Sequence, residues 1–159
     1  MSDTTPISEL TKVGHLNLLH DLFGQVVITQ EVYSELTTGN HPATRIVPQV
    51  NWLEIREVAD SQQIRVLQLQ SNLDLGEVSA IILAEELEAD QLLIDERAAR
   101  QVALARHLPV IGTVGILILA KQRGFLESVK TILDAMIGNG TRIGKSLYEQ
   151  AILLAQENE

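Results

Sequence analysis

Apolar positions along the chain fall into two patterns, and their alternation predicts the fold. Val78 and Ile82 follow Leu75 at three and seven positions, with Glu85, Glu86 and Glu88 on the polar side, which predicts an amphipathic helix. Gln91-Leu92-Leu93-Ile94 is a short apolar run ending at Asp95, and a second helical pattern extends from Glu96 to about His107. Pro109 to Gly112 is another short run, and Val114 to Arg123 predicts a third helix stopped by Gly124. Short strands that are continuously apolar and separated by helices are the mark of a parallel sheet covered on both faces.

The first half repeats the theme. Thr5 reads as a helix cap with Pro6 in the first helical position, and Leu16, Leu19 and Phe23 line a helix ending near Gly24. Gln25 to Ile28 predicts a strand, Thr29 caps a helix to about Leu36, Thr38 to Pro42 is a loop, and Trp52 to Val58 is a further strand or edge strand. Beyond Gly124, helices are predicted over Leu126 to Ile137 and Ser146 to Gln156, with a turn at Gly138-Asn139-Gly140. With no internal repeat or linker, 1–159 reads as one domain, an α/β core over 1–124 and a helical segment over 125–159. The predicted architecture is a three-layer α/β/α sandwich around a mostly parallel twisted sheet.

Composition narrows the function. A net charge of -9, from 21 acids against 12 bases, argues against binding nucleic acid through a broad basic face. Aromatics at 3% argue against a base-stacking platform. There is no cysteine, which excludes disulfides and thiolate metal sites, and no apolar run long enough for a membrane span or leader peptide. A cytoplasmic protein is expected. Its acids are either a solvated surface or partly a set converging on divalent cations that supply the missing positive charge.

Ligands of open parallel sheets bind at the carboxyl ends of the strands, where strand order reverses. Asp95 directly follows a predicted strand, Asp3 precedes the first helix, Glu35 lies on the helix after the second strand, and Glu77 opens the helix that feeds the Asp95 strand. Converging carboxylates repel and are costly to desolvate unless a cation neutralises them. Magnesium prefers hard oxygen ligands and keeps several waters, so one or two direct carboxylates suffice. Each acid also has an ordinary reading. Asp95 is a helix cap, Asp74 and Glu77 have capping-box spacing, Glu35 is solvated, and Asp3 is exposed near a terminus. Arg97 and Arg100 reach phosphate or face solvent. Thr113 caps a helix. His15, His20, His41 and His107 have no zinc-ligand spacing, and neither GxxxxGK[ST] nor GxSxG occurs. A receiver-type phosphoacceptor wants two adjacent acids after the first strand, but Thr4 follows Asp3; a haloacid-dehalogenase-like site wants Asp-x-Asp, but residue 5 is Thr.

Asp3-Thr4-Thr5-Pro6-Ile7, Val32-Tyr33-Ser34-Glu35-Leu36, Leu75-Gly76-Glu77-Val78, Leu92-Leu93-Ile94-Asp95-Glu96-Arg97 and Val110-Ile111-Gly112-Thr113 recur in this order. The set resembles prokaryotic PIN-domain proteins, in particular the short single-domain branch related to the VapC toxins, from Asp3 to about Leu154. The resemblance implies an acidic pocket of Asp3, Glu35, Glu77 and Asp95 holding Mg²⁺ or Mn²⁺, and endoribonuclease activity. Thr4 or Thr5 would then support Asp3, an antitoxin protein would be a partner, and a homodimer the assembly. The alternative is a PIN scaffold that has lost catalysis and serves as a docking module. Two departures stand out. Only Met1-Ser2 precedes Asp3 where the family has an apolar strand, so that strand is expected to be missing or to start upstream, with Asp3 on a mobile end. Gly140 to Gly144 lacks the aromatic that this branch often carries after glycine.

Overall fold

The computed structural model describes residues 1–157. Its strands are short and parallel. β1 (Val26–Thr29) pairs with β2 (Leu53–Arg56), and β3 (Leu92–Leu93) with β4 (Val110–Ile111). The two pairs are joined by the first three residues. The Ser2 N–H donates to Val27 O at 2.9 Å, the Leu93 N–H to Met1 O at 2.9 Å, and the Asp3 N–H to Leu93 O at 2.9 Å, with Ser2 bridged in parallel to Leu93. The resulting order is β2, β1, Met1–Asp3, β3, β4. The expectation that the central strand is missing is therefore corrected. Hydrogen bonds from the flanking strands hold Met1–Asp3 in the central position.

The chain builds β1 and β2 outward on one side of Met1–Asp3, then returns to build β3 and β4 on the other. Strand order thus reverses beside Asp3, which is where ligand crevices form in such sheets.

Side chains of β3 alternate between two cores, Leu93 on one face and Leu92 with Ile94 just beyond on the other. The first core gathers α1 (Thr4–Lys12), α2 (Asn17–Phe23), α3 (Gln30–Thr37), α8 (Thr113–Gln122), α9 (Val129–Gly138) and α10 (Lys145–Leu154) through residues such as Ile7, Leu19, Leu36, Ile116 and Leu133. The second joins α5 (Ser61–Gln70), α6 (Leu75–Glu86) and α7 (Arg97–Ala105) through Leu67, Ile81 and Ala99. The chain is therefore the three-layer α/β/α sandwich expected.

Several element boundaries differ from expectation. The first helix begins at Thr4 with Asp3 as N-cap, so Pro6 is its third residue and Thr5 does not cap it. Gly14, at φ +76°, turns the chain between α1 and α2. Pro42, the last residue of the predicted loop, opens α4 (Pro42–Ile46), and α5 has no counterpart in the hydrophobic pattern. α6 is buried from Gly76 to Ala84 while Leu75 is 44% exposed, so it is a core helix and not an amphipathic one. α5 contributes to this, because it packs along α6, as α3 does, and its Leu67 joins the same core.

Candidate functional site

Several elements deliver acids or their partners to the carboxyl end of the sheet. Asp3 ends the central strand and is 3% exposed. It occupies the N-cap of α1 without its side chain capping, and its Oδ1 has no hydrogen-bond partner. Burial pushes its carboxyl up to about 7; the Thr4 backbone N–H opposes this, while the charges of Glu77, Asp74 and Glu35 add to it. The expected mobile, exposed Asp3 is therefore corrected. It is pinned by backbone on both sides.

Glu77 is 7% exposed at the start of α6. Asp74 Oδ1 accepts the Glu77 N–H at 2.8 Å, and Glu77 Oε1 accepts the Asp74 N–H at 3.1 Å. The capping box read from the spacing is thus present, and Glu77 sits among acids as well. Its carboxyl is raised, first by burial against the opposing Asp74 backbone bond, then by the charges of Asp74, Glu96 and Glu35.

Glu35 is exposed on α3 but is not a free solvated side chain. Its Oε2 accepts from Thr4 Oγ1 at 2.5 Å, and its Oε1 from the Gly76 N–H at 3.1 Å, where the positive end of α6 favours a carboxylate. The contact needs glycine, since a Cβ at residue 76 would lie 2.5 Å from Glu35 Oε1. Thr29, the cap of α3 that the sequence predicts, and Ser79, which carries no sequence signal, hold α6 to the end of β1. Their buried hydroxyls are 2.8 Å apart, and Thr29 Oγ1 also accepts the Val32 N–H that opens α3.

Asp95 behaves differently. It does not cap its own helix, whose N-cap is Glu96. Its Oδ1 accepts the Thr113 N–H at 2.7 Å and its Oδ2 accepts Thr113 Oγ1 at 2.6 Å, so it ties β3 to the start of α8. Gly112, and not Thr113, is the N-cap of α8, and a Cβ there would come within 2.8 Å of both Asp95 Oδ1 and Arg100 Nη1. Thr113 is thus Asp95's partner instead of a cap.

Asp3, Asp74, Glu77 and Glu35 are close enough to perturb one another, with Glu96 beside Glu77. Asp95 is not among the charges that act on Asp3 or Glu77, and it lines two cavities of about 470 and 480 Å³. Thr5, Glu96 and Thr113 line the first, Arg97 and Arg100 the second. Glu96 directly follows Asp95 in sequence, so its position was legible; Glu9 and Arg142, on the first cavity, carry no sequence signal. Among the described residues, no three acids stand close enough to form a ready cage for a metal ion. The donor set nevertheless suits a hard cation that keeps its waters, and the unpartnered Asp3 Oδ1 is an oxygen such a cation would use. No helix among the described residues is long and apolar enough to cross a membrane.

Compared with known proteins, the chain matches no curated protein and no solved structure. A family model described as a PIN domain does match, over residues 1–157. PIN domains are in general nucleases that act on nucleic acid with divalent metal ions. The match spans both halves of the sheet and every acid described above, and the chain belongs to the PIN-domain family.

Proposed function

We propose that this chain is a Mg²⁺- or Mn²⁺-dependent endoribonuclease in which Asp3, Glu35, Glu77 and Asp95 hold the cation and line the catalytic crevice. One observation carries the reading. A carboxylate at the strand-order reversal is buried, crowded by three other acids, and left with an oxygen that no protein group satisfies. A fold retains such a cost where a ligand relieves it.

The bound cation would acidify a water and neutralise charge on the scissile phosphate. Asp3 is the direct ligand in this reading. Asp74 fixes Glu77 through their reciprocal backbone bonds. Thr4 and the Gly76 N–H fix Glu35, and Thr113 fixes Asp95. Each ionised oxygen has more than one lone pair, so these bonds orient the carboxylates without exhausting them. Thr5 lines the crevice beside them, and Arg97, which lines the adjoining cavity, would meet phosphate. A toxin of a toxin–antitoxin pair, cytoplasmic, homodimeric and silenced by an antitoxin, is the biological role that fits this chemistry.

Calorimetric titration with Mn²⁺ tests the proposal on the whole protein alongside Asp3→Asn and Asp95→Asn, with cleavage of single-stranded RNA followed in parallel. Saturable binding and cleavage are expected in the native protein, both lost in Asp3→Asn. Cleavage that survives Asp3→Asn at full rate would sink the assignment. A second reading, a catalytically silent PIN scaffold that docks protein or nucleic acid, is favoured by the lack of a ready three-acid cage among the described residues. It takes over if the native protein binds no Mn²⁺.

A further inference from the structure

This acidic protein has 12 lysines and arginines. Lys12, Arg56, Arg106, Lys121, Lys130 and Lys145 each form an ion pair with a carboxylate. The remaining cations are all arginines, and among the described residues none of them has a carboxylate partner. Three of these, Arg97, Arg100 and Arg142, line the two cavities that meet at Asp95. The cavity of about 480 Å³ holds Arg97 and Arg100, and the cavity of about 470 Å³ holds Arg142. Both include Asp95, Val114 and Leu147, so the two cavities adjoin along these residues as a paired groove, with Arg97 and Arg100 lining one part and Arg142 the other.

The Arg142 part is fixed in place. Gly140, at φ +96°, turns the chain after α9. The Thr141 N–H donates to Met136 O at 3.0 Å, and Thr141 Oγ1 donates to Glu9 Oε2 at 2.5 Å, anchoring the loop to α1. In the other part, Arg100 Nη1 donates to Ile94 O at 3.1 Å, which leaves most of its donors free. The floor of the Arg97–Arg100 cavity is aliphatic, built from Val110, Ile111, Val114 and Ile118, and Leu147, shared by both cavities, is 45% exposed.

We infer that this groove seats a single-stranded RNA segment across Asp95, with Arg142 holding a phosphate on one side and Arg97 and Arg100 holding phosphate on the other. The inference rests on the ribonuclease reading above and names the residues that would position its substrate. A polyanion crossing Asp95, Glu96 and Glu9 needs cations on both sides of them, and guanidinium forks match phosphate oxygens. An aliphatic floor accepts ribose and base faces without stacking. Paired recesses admit a strand whose nucleotides are splayed apart, which a rigid A-form duplex does not offer.

Arg142 is a positioning residue, and its charge can be read directly. Fluorescence anisotropy of a short labelled random-sequence RNA strand, in Ca²⁺ to suppress cleavage, gives Kd across a series of KCl concentrations. Three phosphate contacts predict a log–log salt slope of about 2 in the native protein. Arg142→Ala and Arg97→Ala should each weaken binding roughly 5- to 10-fold and lower the slope by about 0.7, with the melting temperature unchanged. Arg142→Lys should keep the slope. The inference is overturned if the native protein binds no strand, if both alanine variants keep the native slope, or if the matching duplex binds as tightly as the strand. Failure of the ribonuclease reading looks different, as absent Mn²⁺ binding and cleavage while RNA binding and its salt slope persist.

Discussion

Asp3 and Asp95 stand at the same level of one sheet, each at the carboxyl end of a strand next to the order reversal, yet their surroundings differ. Asp95 gives both oxygens to Thr113 and does the work of a cap for a helix on the next strand. Asp3 sits at a cap position, does not cap, and keeps an unpartnered oxygen among acids. Chain position alone therefore does not decide what a strand-end carboxylate does. What decides it is whether backbone donors or like charges surround it, and by that measure the two halves of the crevice are a strained half and a relaxed one.

Asp3→Asn presses hardest on this contrast. It should lower cleavage on the order of 10³-fold, the rate equivalent of several kcal/mol. It should also stabilise the metal-free fold. The native carboxyl holds its proton up to about 7, while the unfolded chain releases it near the ordinary aspartate value of 3.8. Between those values the folded state binds more protons, so stability falls as pH rises and the full penalty is present above about 7. The substitution should restore up to about 4 kcal/mol at pH values above that window and almost nothing below it. Urea denaturation at the two ends of the window measures this. A native protein with no loss of stability across the window would remove the strain from the comparison.

Gly76→Ala tests whether the strained half depends on close approach. The new Cβ would meet the Glu35 carboxylate and force it from the start of α6. The displaced contact costs about 1–3 kcal/mol and alanine's better helix propensity returns about 0.5–1 kcal/mol, so a net loss of up to about 2 kcal/mol by thermal denaturation is expected, with weaker Mn²⁺ binding. Unchanged metal affinity would place Glu35 outside the ligand set.

The relaxed half has its own test in Thr113→Val. This removes the hydroxyl that Asp95 Oδ2 accepts while keeping the shape and the backbone donor. The expected cost is about 1–2 kcal/mol by urea denaturation, since an acceptor at the end of β3 loses its partner. A cost well below that would mean that water satisfies Asp95, and that the two halves differ less than their hydrogen bonds suggest.

Legibility in the sequence followed the same physics. The strand before Asp95 was readable because a parallel strand buried on both faces must be continuously apolar, as Gln91 to Ile94 nearly is. The central strand was not, because Met1 and Ser2 are too few to make a pattern and their hydrogen bonds come from Val27 and Leu93, distant in sequence. α5 was missed because Ser61–Gln70 is rich in glutamine and only Leu67 is fully buried. That omission contributed to a second error, since α6 reads as amphipathic only if α5 does not pack along it. The order of Asp3, Glu35, Glu77 and Asp95 was visible, but not which of them crowd together. Crowding depends on Thr4 and Gly76, which hold Glu35 through contacts and not through spacing.

The smallest expected effect is the most discriminating for Glu77. Glu77→Gln keeps an oxygen that can accept the Asp74 N–H, so the capping box survives in weakened form, at a cost of about 0.5–1 kcal/mol. It also removes a charge that burial and the neighbouring Asp74, Glu96 and Glu35 disfavour. For that raised carboxyl the sign runs as for Asp3, so relief is absent at low pH and grows as pH rises past its ordinary range. Net stability should therefore be slightly below native in acid and close to native or above it near neutral pH, as urea denaturation at two pH values would read. The crossing matters more than its size. A variant less stable than native by the same amount at both pH values would make Glu77 a capping residue alone and leave Asp3 as the only strained carboxylate of the pair.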